Sequence, residues 1–295
     1  MKPTAPAQTR PLGLFGNPVE HSFSPLFMNH ALELLGLNYR YLAFSIEEKE
    51  LKSAVHALRV FGFRGINVTI PFKRAVTHHL DRIDRSAEKM GAVNCIVNKD
   101  GILTGFNTDH HGFIKPLMDR DIAVKGRRAL IIGAGGAARA VVTGLVEQNI
   151  SALRVLNRTE RNARLLIDWC TGTLHFAHID FGGPASNIDP RSIQSFDLII
   201  NTTPVGMHPH CEGSPLAEGM SFGTHQTVYD LVYNPWETNL LIRARAQGAT
   251  VLNGFEMLII QGLYSLAHWF PQRADEVFSL QDCIIAYTKE KIQGD

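Results

Sequence analysis

The chain has 295 residues, 45% hydrophobic and 19% charged, with a formal net charge of +1. That size and balance describe one large or two ordinary globular domains and exclude a disordered chain. Near-neutral charge makes no case for nucleic acid or an anionic membrane as partner, and no apolar run reaches the ~18 residues of a membrane span.

The segment "MKPTAPAQTRP" is polar and proline-rich, without the apolar core of a signal peptide, and reads as a short loose tail. Cys95, Cys170, Cys211 and Cys283 lie far apart with no C-x-x-C, which fits a reducing compartment, so the cytoplasm is the expected location. "PLGLFGNP" reads as a strand closed by a Gly-Asn-Pro turn. Ser24-Pro25 then predicts a helix with serine at the N-cap, an apolar stripe through Leu34 and Leu35, and Gly36 at its end. "YRYLAFSI" is a second strand, and the capping-box spacing of Ser45 and Glu48 predicts a helix to about Arg59. "RGINVTI" is a third strand, followed by Pro71 and a helix to Leu80. "NCIVNKDGILTG" is a hairpin turning at Asp100-Gly101. Strands alternating with helices argue for an α/β sandwich.

A second unit opens with "RRALIIGAGGAARAVVTGLVEQ", a buried strand, a glycine turn and a helix. Strands are expected in "ALRVLNRT", "LHFAHI", "FDLIINTT", "TVYDLVY" and "ATVL", with helices in "TERNARLLIDWC" and "ETNLLIRARAQG". Two amphipathic stretches, "GFEMLIIQGLYSLAHWF" and "ADEVFSLQDCIIAYTKEKI", have no strand of their own and are read as returning to the first domain.

The glycine turn points to a dinucleotide. In Gly133, Ala134, Gly135, Gly136, Ala137 and Ala138, the first glycine permits a tight turn and the second lets backbone approach a pyrophosphate. Phosphates then rest on the free N–H groups of a helix N-terminus. The next strand ends in Asn157, Arg158 and Thr159, without the acidic residue that would take a ribose 2′-hydroxyl. A guanidinium beside a hydroxyl suits a 2′-phosphate, so the expected cofactor is NADP.

Polar residues gather at predicted strand ends of the first domain: Ser22, Ser24, Asn67, Thr69, Asn94, Asn107, Thr108 and Asp109. Such loops are where α/β proteins hold ligands, and hydroxyls with amides suit a small polyhydroxylated substrate bearing a carboxylate. Lys73 and Asp109 have the chemistry to exchange a proton during an alcohol–ketone conversion beside a nicotinamide. His78-His79 and His110-His111 read as solvated helix faces. "HPHC" at 208–211 lacks a further ligand pair, so no metal is expected.

"GNPVEHSFSP", "NVTIPFK", "GAVN", "GFNTD", "GAGGAARA", "NRT", "NTTPVGM", "DLVYNP" and "NGFEMLIIQG" follow in this order from residue 16 to 262. In this set the chain resembles the shikimate dehydrogenase family. The resemblance implies two domains: an α/β sandwich binding substrate, and a Rossmann-type NADP-binding domain. The first would comprise 1–109 and the helices of 254–295, the second 110–253. It implies reversible reduction of 3-dehydroshikimate by NADPH in aromatic amino-acid biosynthesis. Carried over by position, Ser22 and Ser24 would hold the carboxylate. Thr69, Asn94, Asp109 and Gln261 would hold ring hydroxyls, and Lys73 with Asp109 would form the catalytic pair. The glycine loop with Asn157, Arg158 and Thr159 would hold NADP. Tyr233 on the substrate side, and Gly254 and Met257 on the cofactor side, would border the nicotinamide. One departure is Cys95, where the family usually has threonine, and a packing effect is expected there. The partner is then a small-molecule substrate, with no nucleic acid and no membrane; a homodimer is the expected assembly, though no residue pattern specifies it. Two rival readings are a quinate/shikimate dehydrogenase with relaxed substrate or NAD use, and a non-catalytic NADP-binding sensor. The sensor would have no need of both Lys73 and Asp109.

Overall fold

The computed structural model describes residues 8–294. Residues 1–7 of the expected tail lie outside the described residues, while Arg10 and Pro11 belong to the first strand instead. The chain divides into two units. One takes the segment up to Thr108 together with that from Leu258 on; the other is Asp109–Met257.

The first unit carries β1 (Arg10–Gly16), α1 (Ser24–Leu34), β2 (Tyr39–Ser45), α2 (Leu51–Val60), β3 (Gly65–Val68), β4 (Arg82–Ile83), α3 (Arg85–Met90), β5 (Cys95–Lys99) and β6 (Ile102–Phe106). Its six strands lie in the order β2-β1-β3-β5-β6-β4. β1 is parallel to β2 and β3, whereas β5 runs antiparallel to both β3 and β6. The reversal has a consequence for function. The ends of β1, β3 and β6 and the start of β5 all fall on one edge of the sheet, with Asn67 opposite Cys95 and Cys95 opposite Phe106. The hairpin turns where expected, with Asp100 at φ 54° and Gly101 at φ 84°, the left-handed pair a two-residue turn requires.

Three local expectations need correction. Ser24 is not the N-cap of α1: Phe23 occupies that position, and the Ser22 hydroxyl accepts from the Ser24 N–H at 3.2 Å. Ser45 ends β2, its hydroxyl bonds to Glu20, and α2 starts only at Leu51, after a single 3-10 turn over Glu48–Glu50. The helix expected to reach Leu80 is a five-residue 3-10 turn, Ala75–His79. Thr77 returns its hydroxyl to Arg74 O at 2.7 Å, and β-branched Val76 and Thr77 are weak helix formers.

The second unit carries α4 (Asp109–Met118), β7 (Arg128–Ile132), α5 (Gly136–Glu147), β8 (Ala152–Leu156), α6 (Glu160–Thr173), β9 (Ile179–Phe181), β10 (Leu198–Asn201), β11 (Thr227–Asp230), α7 (Asn239–Ala246) and β12 (Thr250–Asn253). The "LHFAHI" strand is shorter and later than expected, starting at Ile179. All six strands are parallel, in the order β12-β11-β10-β7-β8-β9, so the chain switches direction between β7 and β10. Both faces are covered by apolar clusters, one including Val141, Leu145 and Leu166, the other Phe196, Leu240 and Leu241. This explains why these strands read as continuous hydrophobic runs. His110 is buried against the Glu147 carboxylate at 3.8 Å rather than solvated.

The chain ends in α8 (Phe255–Trp269), α9 (Ala274–Ser279) and α10 (Gln281–Gln293). From Leu258 on these helices belong to the first unit. Trp269, fully buried, donates its indole N–H to Ile96 O at 2.9 Å, and Tyr287 stacks on His30 of α1 at 3.6 Å. Arg273 adds a bond to Leu35 O at 3.1 Å.

Candidate active site

The converging sheet edge of the first unit holds an interlocked set of amides and hydroxyls. Asn94, buried, donates to Gln261 Oε1 at 3.2 Å and to Thr108 Oγ1 at 2.9 Å, while its Oδ1 accepts from the Thr108 N–H at 2.8 Å. Asn67 donates to Asn94 O at 3.0 Å and to Ser265 Oγ at 2.8 Å, and accepts from the Tyr41 hydroxyl at 3.0 Å. Gln261 and Ser265 are one turn apart on α8, on one face. The Ser265 hydroxyl donates to Gln261 O at 3.1 Å.

Thr69 extends this edge: its N–H donates to Phe15 O at 2.8 Å and its carbonyl accepts from Phe72 at 2.9 Å. Phe72 is buried at 1% exposure, fixing the chain immediately before Lys73. Lys73, half-buried, accepts the Val93 N–H on its carbonyl at 2.7 Å, next to Asn94 in sequence. Asp109 directly follows Thr108 and opens α4. Ser22 and Ser24 are joined by their turn, with Ser24 buried and its hydroxyl bonded to Tyr41. Burial pushes the Tyr41 hydroxyl well above its ordinary value and the Cys95 thiol up to about 12, so both stay protonated at neutral pH. Cys95 contacts Ser265 and Trp269 beneath the edge. Tyr41 and Ser265 were not among the residues singled out in the sequence. The i, i+4 spacing of Gln261 and Ser265 was the available signal for the serine.

In the second unit, Gly133 adopts φ 108°, and a Cβ there would lie 2.5 Å from Thr202 Oγ1. Only glycine fits that turn. Gly135 and Gly136 are exposed, and nothing lies within 4 Å of where a Cβ would sit. Ala134 is half-buried and Ala137 exposed, with no side chain capping α5. The loop is thus an open cradle leading to a bare helix N-terminus, which fits the pyrophosphate of a dinucleotide. Asn157 donates to Thr159 O at 2.8 Å, turning the chain after β8, and leaves Arg158 and Thr159 exposed. Among the described residues no carboxylate pairs with Arg158, as suits a group awaiting an anionic ligand.

Tyr233, Gly254 and Met257 lie in the same unit, and burial raises the Tyr233 hydroxyl above its ordinary value. A Cβ at Gly254 would overlap the Leu231 carbonyl. Asp230 opens the "DLVYNP" motif but was given no role in the sequence. It is fully buried at the end of β11, and a carboxylate closing an apolar strand, in "TVYD", was the signal for it.

Two family models match the chain: the shikimate dehydrogenase substrate binding domain over residues 14–96, and shikimate / quinate 5-dehydrogenase over residues 117–204. A shikimate dehydrogenase (NADP(+)) from Caldanaerobacter subterraneus subsp. tengcongensis is 38% identical over 287 residues, 97% of this chain and 98% of that protein. A crystal structure of a shikimate dehydrogenase in complex with NADP+ superposes with TM-score 0.88 at 35% identity, covering 98% of this chain and 97% of that one. Shikimate 5-dehydrogenase from Thermus thermophilus in complex with NADP(H) and shikimate gives TM-score 0.78 at 33% identity, over 92% of this chain and 100% of that one. Among the described residues, no helix is long and apolar enough to cross a membrane.

Proposed function

The chain belongs to the shikimate dehydrogenase family, and from that premise we propose that it catalyses the reversible NADPH-dependent reduction of 3-dehydroshikimate to shikimate, a step of aromatic amino-acid biosynthesis. The observation that carries the reading is the presence, in one chain, of a substrate-binding match and a dehydrogenase match, each lying on the polar cluster or cradle its chemistry needs.

Ser22 and Ser24 hold the substrate carboxylate, and Thr69, Asn94, Asp109 and Gln261 hold its ring hydroxyls. Tyr233 borders the substrate. The bonded set supports this through Gln261: with Oε1 accepting from Asn94 and one amide N–H given to Leu258 O, its remaining donor and acceptor sites are held in one orientation. Gly133 to Ala137, Asn157, Arg158 and Thr159 hold the dinucleotide and its 2′-phosphate, with Gly254 and Met257 beside the nicotinamide. When bound, NADP supplies the hydride acceptor or donor. Lys73 moves the proton: its ammonium gives one to the ketone oxygen during reduction, and its amine takes the hydroxyl proton during oxidation. Asp109 is the second catalytic group. We assign 1–109 and 254–295, apart from Gly254 and Met257, to substrate and 110–253 to NADP, and place the protein in the cytoplasm as a homodimer with no nucleic-acid partner. Four free cysteines support the compartment. Sedimentation equilibrium checks the assembly, a monomer counting against it.

The deciding assay pairs shikimate or quinate with NADP+ or NAD+ and follows reduced-cofactor absorbance. Turnover should be fastest with shikimate and NADP+. Preference for quinate or NAD+ would move the chain to the relaxed-specificity reading, and no turnover with any pair would leave only a sensor.

A further inference from the structure

Asp230 lies outside every role given above, yet it sits one strand from the switch point of the parallel sheet. It closes β11 opposite Asn201, which closes β10 opposite Ile132, the residue before Gly133. Its carboxylate accepts three hydrogen bonds from three segments. Asn201 Nδ2 donates at 2.8 Å, the Val232 N–H at 3.1 Å and the Thr238 hydroxyl at 2.6 Å.

Those bonds govern two loops. Through its other amide atom, Asn201 accepts from the Thr203 N–H at 3.0 Å and the Thr203 hydroxyl at 2.7 Å, which shapes the β10 loop. Thr202 of that loop bonds to Ile132 O at 2.8 Å and walls the Gly133 turn. Val232 and Thr238 bracket the β11 loop that carries Tyr233; Asn234 of that loop accepts from His208 at 3.0 Å, and Gly254 donates to Val232 O at 3.1 Å. In a sheet of this strand order the loops after β10 and β11 border the second half of a dinucleotide, away from β8 and its Arg158.

We propose that Asp230 is a positioning residue for the nicotinamide half of the dinucleotide site, fixing the β10 and β11 loops at the separation that half requires; this rests on the NADP reading above. Burial raises its carboxyl to about 6, and the three donors, none of them a charged side chain, hold the ionised form at neutral pH. A purely structural anchor would weaken the whole site evenly. A positioning residue weakens one half.

The test uses isothermal titration calorimetry with the full-length protein and two probes: NADP+, and adenosine 2′,5′-bisphosphate, which reaches only the half beside β7 and β8. Asp230→Asn keeps the shape but turns a donor toward the Thr238 hydroxyl; Asp230→Ala removes all three acceptor contacts. NADP+ affinity should fall roughly threefold to tenfold in the first and about tenfold or more in the second, while the bisphosphate changes by less than about twofold. If the alanine variant does not fold, the asparagine variant decides alone, since it removes a buried charge and keeps the volume. Equal weakening of both probes, or of neither, overturns the proposal. Wild-type protein that binds neither probe overturns the NADP reading, and the positioning role with it.

Discussion

Lys73 is held by what precedes it, a buried Phe72, and by its own carbonyl, which takes the Val93 N–H. A solvated end-cap needs neither restraint. On the proposed mechanism Lys73→Ala lowers kcat by roughly 10²–10⁴, the range for losing a general acid–base group. KM moves little, because a group acting mainly in the transition state adds little to ground-state binding. Lys73→Met, which keeps the apolar stem, should be nearly as damaging; near-normal turnover in both would take the lysine out of the catalytic pair. Arg158 is exposed, so its contribution arises only with ligand bound. Arg158→Ala should raise the NADP+ KM by about tenfold to a hundredfold, the equivalent of one charge-assisted bond, and leave NAD+ use nearly unchanged. Equal losses with both cofactors would remove it from the 2′-phosphate. Asp230 gives a pH signature. Its folded pKa of about 6 exceeds the ordinary 3.8, so the native state holds the proton to higher pH than the unfolded chain. The cost of the buried charge is therefore absent below pH 3.8, grows between 3.8 and about 6, and is complete above. The unfolding free energy of Asp230→Asn relative to wild type should rise across that window by up to about 3 kcal/mol. Urea melts at a series of pH values read it, and a flat difference would show that the carboxyl titrates normally.

At the scale of elements, strands were more legible than helix starts. The central strands of the second sheet, β7, β10 and β11, are buried on both faces and announce themselves as apolar runs, and Asp100-Gly101 names its own turn. Capping serines misled, since a hydroxyl near a helix start bonds wherever the turn directs it: Ser22 rather than Ser24 accepts the N–H there, and Ser45 remains in β2. Within the candidate site, Asn94 and Thr108 were legible as polar residues at strand ends. Tyr41 was not, because it reads as one more aromatic in a strand and acquires its meaning only from Asn67 across the sheet. The same long-range dependence applies to Trp269, whose indole bonds to Ile96 O, 173 residues away in sequence. A Cβ at Gly65 would overlap that ring, so strand and helix meet with no space left. Trp269→Phe should cost about 2–4 kcal/mol, from the lost indole–carbonyl bond and an incompletely filled cavity. Chemical denaturation followed by far-ultraviolet circular dichroism measures it; a loss below about half a kcal/mol, the range of neutral surface changes, would show that the α8 end is not anchored there.

At the scale of the whole molecule, chain order and ligand chemistry divide differently. The residues proposed for the substrate hydroxyls come from just after β3, just before β5, the start of α4 and α8, separated by nearly two hundred positions, whereas the dinucleotide cradle is a single strand–turn–helix. A site assembled from distant segments is legible in sequence only as scattered polar residues; one made of contiguous residues is legible as a motif. The two ligands should therefore leave separate footprints in amide hydrogen exchange, because bound ligand suppresses the local openings through which exchange proceeds. NADP+ is expected to slow exchange over 132–140 and 156–160, where Gly135, Gly136, Ala137, Arg158 and Thr159 are exposed at the cradle and the β8 end. Shikimate should slow it over 66–74 and 92–95, where Asn67, Thr69, Lys73 and Asn94 lie on one sheet edge. Protection by shikimate confined to 109–257, or by NADP+ confined to the remainder, would reverse the assignment of ligands to units and with it the placement of the serines proposed for the carboxylate.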